Sequence, residues 1–304
     1  MSEPQVQPGP GKRAFYKYVT PETAIAILKS RRVRRSSPLL FNDPFDIQSG
    51  LHFDFDLSTL HAKFLDRLGE LAATREEPPV DREDVWGKVV LAARSFYADY
   101  GFPRERWSEK TAPIFRSLVD IIAATQQRYR AHWRNLLLPS IRVFCVTEER
   151  DNLLMWAHYA KDHTGAVLEL WSLPEDDNSL SVATPVVYRA SPPPFFTEGE
   201  WLDDLMAVKK LDMSALYRRY ALVKSDHWAY EKEWRVWYPL ASATEMYDIS
   251  QLRENELRSI YFGCRAADSF MDEARELLRS SFPSARSFRA VKSEVAYELS
   301  YVEI

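Results

Sequence analysis

The chain has 304 residues, 46% hydrophobic and 28% charged, a globular composition with length enough for one large core or two ordinary ones. A net charge of -4 argues against whole-surface attraction to nucleic acid or anionic membrane. The only cysteines, Cys145 and Cys264, are too far apart and too isolated in sequence to suggest a disulfide framework or a zinc knuckle. No apolar run reaches the roughly 20 residues of a membrane span, so a soluble, cytoplasmic protein is expected.

Residues 1–13, rich in Pro, Gly and Gln, read as a disordered tail without the basic start and apolar core of a secretion signal. Phe15 to Val19 has the pattern of a short strand. Thr20-Pro21 then supplies an N-cap and a first-turn proline for a helix through Ser30, and Arg32 to Ser36 alternates as a second strand. The loop Phe41-Asn42-Asp43-Pro44-Phe45-Asp46 follows. Asn42, Asp43 and Asp46 either offer a polar edge to a ligand or cap their own turn. Asp43 and Asp46 lack a third ligand at recognisable spacing, so no metal is expected.

From about 57 to 137 the periodicity is helical, and this block is predicted to be an all-helical insertion in an otherwise strand-rich chain. Its helices are expected over 57–77, 82–100 and 109–135. The Arg128, Arg130 and Arg134 face is open to solvent or to an anionic partner. Strands are predicted at 141–147, 164–170, 182–188, 228–236, 249, 257–263, 287–291 and 296–302. Helices are predicted at 153–160, 199–220 and 268–280. Gly165 suits a close backbone approach. Lys224 reads as a solvated lysine or as a contact to a ligand phosphate. The resulting fold class is α+β, a single domain over 14–304 with mixed or antiparallel central sheets and flanking helices.

The stretch with most chemistry is Trp228-Ala229-Tyr230-Glu231-Lys232-Glu233-Trp234-Arg235-Val236. As a strand it places Glu231, Glu233 and Arg235 on one face. Two adjacent carboxylates can divide labour, one taking a proton and the other stabilising developing positive charge. Alternatively they form solvated ion pairs, each contributing about 0–1 kcal/mol. Trp156 and Tyr159 share a groove-facing side of their short helix or pack into the core. His158 and His163 are five apart, which does not match a shared metal face. Gly-rich phosphate loops, His-Glu-X-X-His and hydrolase nucleophile elbows are absent.

Taken together, Phe15-Tyr16-Lys17-Tyr18, Phe41 to Asp46, Met155-Trp156-Ala157-His158-Tyr159-Ala160 with Gly165, and Tyr230 to Arg235 resemble the bacterial domain of unknown function 2971 family across about 14–263. The resemblance implies a bacterial or phage-associated cytoplasmic protein, in company with antiphage defence genes. More loosely, the layout of strands and the Glu-X-Glu is similar to that of ADP-ribosyltransferases. That likeness implies NAD as co-substrate, Glu233 on the ribose hydroxyl, Glu231 positioning an acceptor, and Tyr16, Tyr18 or Thr147 lining a nicotinamide pocket. The acceptor, protein or nucleic acid, is left open. The catalytic candidates are therefore Glu231 and Glu233. The ligand-contacting candidates are Tyr16, Tyr18, Asn42, Asp43, Asp46, Thr147, Trp156, His158, Tyr159 and Arg235. The competing expectation is a non-catalytic module of a defence system that senses a nucleotide-like ligand or binds a protein partner through the same cleft.

Overall fold

The computed structural model describes residues 12–239 and 245–304. Residues 1–11 of the expected tail lie outside the described residues, and Arg13 already begins the first strand. The elements start with β1 (Arg13–Val19), α1 (Pro21–Ser30) and β2 (Arg32–Ser36), followed by α2 (Leu60–Ala73), α3 (Val85–Tyr100) and α4 (Arg104–His132). Next come a single turn α5 (Leu138–Ser140), β3 (Ile141–Thr147), α6 (Leu153–Tyr159), β4 (Ala166–Ser172), β5 (Thr184–Pro185) and β6 (Val187–Arg189). Then follow α7 (Glu198–Leu205), α8 (Met213–Ala221), β7 (Val223–Ser225), β8 (Glu233–Pro239) and β9 (Tyr247–Gln251). The chain ends with β10 (Leu257–Phe262), α9 (Asp268–Ser281), β11 (Arg286–Lys292) and β12 (Leu299–Glu303). The fold is α+β, with a mixed sheet and flanking helices.

Two compact units share this chain, one built from the segments up to 48, 137–190 and 222–304, the other from 49–136 and 191–221. The first unit holds the sheet, ten-stranded among the described residues, in the order β12-β11-β10-β4-β1-β3-β2-β9, with β8 on β3 and β5 on β8. Its pairs are antiparallel except β10 and β11, which are parallel and joined through α9. β6 and β7 form a separate small parallel sheet.

Period-two alternation sorts the sheet into two faces. Phe15, Val19, Phe144, Val146, Leu168, Leu170, Trp234, Val236, Ile260 and Phe262 belong to one core with α1 and α9. α1 is held at its start by Thr20, whose side chain accepts the Thr23 N–H, and it buries Ala24, Ile27 and Leu28. α9 buries Phe270, Met271, Ala274 and Leu278, a helical stripe at steps of three and four. The other face carries Tyr18, Val167 and Tyr261 with Met155 and Trp156 of α6. On that face β3 presents Cys145 and Thr147, and β8 Glu233 and Arg235.

The ladder between β1 and β3 is short. β1 and β3 are paired only at Tyr16 and Thr147, whereas β3 and β8 pair continuously from Ile141 with Pro239 to Thr147 with Glu233. Further along β3, its neighbour on the β1 side becomes β2, at Ser36 and Val143. Where the β1 ladder stops, the Lys17 ammonium donates to the Cys145 carbonyl at 2.7 Å. A side chain thus satisfies an acceptor that a continued ladder would have paired with backbone.

The second unit is helical. Leu60, Phe64, Leu65 and Leu68 of α2 pack with Val90 and Ala93 of α3, Phe115 and Ile122 of α4, and Leu202 of α7. α4 starts five residues before its predicted start and runs through Pro113. The stretch 199–220, expected as one helix, is two, α7 and α8. Between them Ala207 takes φ 57°. Asp204 accepts the Leu211 N–H and Asp212 the Ala215 N–H, so aspartates divert the backbone into a loop and a new helix start. Likewise 182–188, expected as one strand, is a 3-10 turn (Ser179–Val182) followed by β5 and β6.

Gly165 fulfils the close-approach expectation. A Cβ there would lie 2.2 Å from the Val19 carbonyl oxygen and 3.0 Å from that of Ala160. Both obstacles are backbone and cannot swing aside. Gly165→Ala is therefore expected to lower stability by ~1–3 kcal/mol or more, measured by urea unfolding. Gly199→Ala, with nothing within 4 Å of the added carbon, is the matched control and should cost far less.

Candidate functional site

The opening beside β3 forms a cavity of about 450 Å³ within the first unit. Tyr16, Lys17 and Tyr18 of β1 line it, with Arg34 of β2, the Leu40-Phe41-Asn42 turn, Asp46, and Cys145 and Thr147 of β3. Residues from both faces of β1 reach the cavity, as the separation of β1 from β3 permits. Met155, His158 and Tyr159 of α6 add a further wall. α6 is positioned by Asn152, which accepts the Leu154 and Met155 N–H groups and donates from Nδ2 to the Tyr230 carbonyl at 2.8 Å.

The remaining wall is a buried ion cluster. Lys224 Nζ donates to Glu231 Oε2 at 2.5 Å and to Glu233 Oε2 at 2.9 Å, and lies 3.6 Å from Asp46 Oδ2. Arg235 donates from Nε to Glu233 Oε1 at 2.7 Å, and from Nη2 to Glu233 Oε2 at 3.0 Å and Asp46 Oδ2 at 2.6 Å. The Tyr159 hydroxyl donates to Glu231 Oε1 at 2.6 Å. Relative exposures are 8% for Lys224, 3% for Glu231, 6% for Glu233, 1% for Arg235 and 4% for Asp46. Interactions this dry are screened little, and any unpaired member is costly.

Environment separates the ionisable groups. Burial pushes Glu233 up, but Arg235 and Lys224 outweigh it and hold this carboxyl well below the ordinary 4.5. For Asp46 burial wins, and its carboxyl is raised despite Arg235. Burial and then the Glu231 charge raise the Tyr159 phenol. Burial also raises the Cys145 thiol, leaving it a poor nucleophile. Lys224 is lowered by burial but raised overall by Glu233, Glu231 and Asp46.

The Glu-X-Glu stretch departs from the expected strand. Asp226–Glu231 is a 3-10 helix, Lys232 adopts φ 42°, and β8 starts only at Glu233. Side chains impose the turn. Ser225 caps it by accepting the His227 N–H, Asn152 holds the Tyr230 carbonyl, and the Thr147 hydroxyl donates to the Glu231 carbonyl at 2.5 Å. Glu231 and Glu233 still face the same cavity, through a turn instead of a pleat.

Of the predicted site residues, Tyr16, Tyr18, Asn42, Asp46, Thr147, His158, Tyr159, Glu231 and Glu233 line this one cavity. Three do not. Asp43 accepts the Phe45 N–H at 2.8 Å, the self-capping alternative for that loop. Trp156 is fully buried against Tyr18 and donates its indole N–H to the Arg150 carbonyl, the core alternative for that helix. Arg235 stands behind Glu233 and Asp46 as their support.

Lys224, expected in solvent, is instead the hub of the cluster. Its place after Tyr220-Ala221-Leu222-Val223, an apolar run, was the available signal. Lys17, Arg34 and Cys145 had no comparable sequence cue, because the opening of the β1 ladder brings them to the wall. Among the described residues no set of three His, Cys, Asp or Glu side chains is arranged to hold a metal ion, and no helix is long and apolar enough to cross a membrane.

Residues 155–236 match the family model described as protein of unknown function (DUF2971). The matched span starts in α6 and ends in β8, so it includes Tyr159, Lys224, Glu231, Glu233 and Arg235. No curated protein and no solved structure matches the chain.

Proposed function

We propose that the first unit binds a small, flat-ringed ligand carrying an anionic group, a nucleotide-like compound. The observation that carries this reading is the pairing, in one cavity of about 450 Å³, of ring-bearing walls with a buried charged wall. Tyr16, Phe41 and Tyr159 bring aromatic rings to the wall, where a planar group can pack. Lys17 and Arg34 supply positive charge for an anionic substituent. The cluster fixes the geometry without rearranging, because every oxygen of Glu231 and Glu233 already has a donor.

Titration calorimetry with AMP, ATP and NAD tests the reading. At least one is expected to bind, with affinity reduced ~10-fold or more by Lys17→Glu, on the order of one lost charge-assisted contact. Absence of heat with all three would sink it.

A second reading, transfer of the ADP-ribosyl group of NAD, draws support from one feature. Glu233, held ionised at the cavity, is the charge that a developing oxocarbenium ion needs. NAD consumption by the wild type that persists unchanged in Glu233→Gln removes that role. Binding without turnover makes the protein a sensor.

A further inference from the structure

We propose that the group seated against Asp46 is a cationic N–H donor on a flat ligand, of the amidinium or guanidinium class, and that its arrival displaces a proton from the cluster. This gives the ligand a cationic group in addition to the anionic one that Lys17 and Arg34 would meet, and it rests on the same cavity being the binding site.

Charge and hydrogen-bond accounting lead there. Three carboxylates, Asp46, Glu231 and Glu233, face two cations, Lys224 and Arg235, leaving one buried negative charge without a counterpart in the cluster. Among the described residues Asp46 Oδ1 is the one carboxylate oxygen of the three that lacks a hydrogen-bond donor, and it is out of reach of water. Leaving such an oxygen unsatisfied costs ~1–3 kcal/mol or more when it is charged. A proton neutralises the surplus charge in the free protein. A ligand cation does so in the complex, seated where Asp46 lines the cavity.

The backbone next to Asp46 points the same way. Ile47, buried and β-branched, is held at φ 62°. Non-glycine residues in that region are uncommon and β-branched ones are outliers, and such strain gathers at ligand clamps.

Every element packed around Asp46 contributes to its charge state. On its own loop, Asp43 is occupied by the Phe45 N–H. β7 presents Lys224, the 3-10 turn Glu231, and β8 Glu233 and Arg235. The other cavity walls present Cys145 of β3, Tyr16, Lys17 and Tyr18 of β1, Arg34 of β2, and His158 and Tyr159 of α6. Lys17 is engaged by the Cys145 carbonyl and the Arg34 guanidinium lies 5.5 Å from the Tyr247 ring, while the cations paired with Asp46 are Lys224 and Arg235. Tyr16, Phe41 and Tyr159 place aromatic rings in the same cavity, the partners a flat cation favours. The surplus negative charge is therefore met by a proton or by the ligand, and binding at an ionised Asp46 strengthens as pH rises.

Benzamidine and its neutral isostere benzamide, titrated calorimetrically into the full chain in phosphate and in Tris at one pH, provide the test. Benzamidine is expected to bind ~10-fold or more tightly than benzamide, the order of one charge-assisted hydrogen bond. Its apparent enthalpy should differ between the buffers by the amount that proton release requires. Asp46→Asn should remove both the preference and the buffer dependence. The wild-type buffer comparison stands even if that variant fails to fold. Equal affinities, no buffer dependence, or no benzamidine binding would each overturn the proposal. If AMP, ATP or NAD then still binds, the cavity keeps its proposed function and only the cationic class is lost. If none binds, both readings fall.

Discussion

Lys224→Met is expected to destabilise the protein by ~3–5 kcal/mol, the cost of breaking a buried ion pair by removing one partner. In a thermal melt followed by circular dichroism this is a fall in midpoint on the order of 10 °C. Methionine keeps the length of the lysine side chain and its fit against the apolar surroundings, so the loss reports charge and hydrogen bonds more than volume. What remains is three carboxylates, at 3–6% exposure, around Arg235 alone. Glu231 Oε2 then loses its donor and Glu233 Oε2 keeps one from Arg235.

Two controls make the result specific. Lys232→Met removes an ammonium paired with Glu149 but half-exposed, and such a surface pair contributes only ~0–1 kcal/mol. The double variant Lys224→Met with Glu231→Gln takes out a negative charge with the positive one, and should recover part of the loss as a coupling energy of ~0.5–3 kcal/mol. A single-variant loss no larger than that of Lys232→Met would mean that water reaches the cluster.

The same cluster shows how far a sequence reading extends here. Its members were separately visible: the Glu231, Glu233 and Arg235 alternation, the Asp46 loop, and the Tyr159 helix. Strong local signals survived folding, as with the Thr20 cap, the 141–147 strand and the period of α9. Signals decided by distant partners did not survive. Tyr230 and Glu231 have strand-like neighbours, yet Asn152 and Thr147, about 80 positions earlier, bind their carbonyls and turn the backbone into a 3-10 helix. Lys224 is polar by type, and its burial is made tolerable by Glu231 and Glu233, which the 3-10 turn folds back onto it, together with the distant Asp46. The cavity depends on where the β1 ladder stops, which no periodicity in β1 or β3 encodes.

Acid should dismantle the site in a way that identifies Glu233. Its carboxyl lies below the ordinary 4.5 in the folded state because Arg235 and Lys224 outweigh the effect of burial. A carboxylate depressed in this way contributes stability that is present above 4.5 and is lost as pH falls toward the folded value. The expected loss is on the order of 3 kcal/mol between neutral pH and the acid limit, followed by urea unfolding at a series of pH values. Asp46 acts with the opposite sign. Its raised carboxyl takes up a proton before Glu233 does, and this protonation relieves the surplus negative charge. Stability should therefore hold through the first uptake and fall steeply only when Glu233 follows. Glu233→Gln cannot make that second uptake, so its stability should vary less below pH 4.5 even though it starts lower. An unchanged acid slope in Glu233→Gln would place the acid sensitivity in exposed pairs such as Glu303 with Arg286, and the claim that Glu233 is held ionised by the cluster would fail.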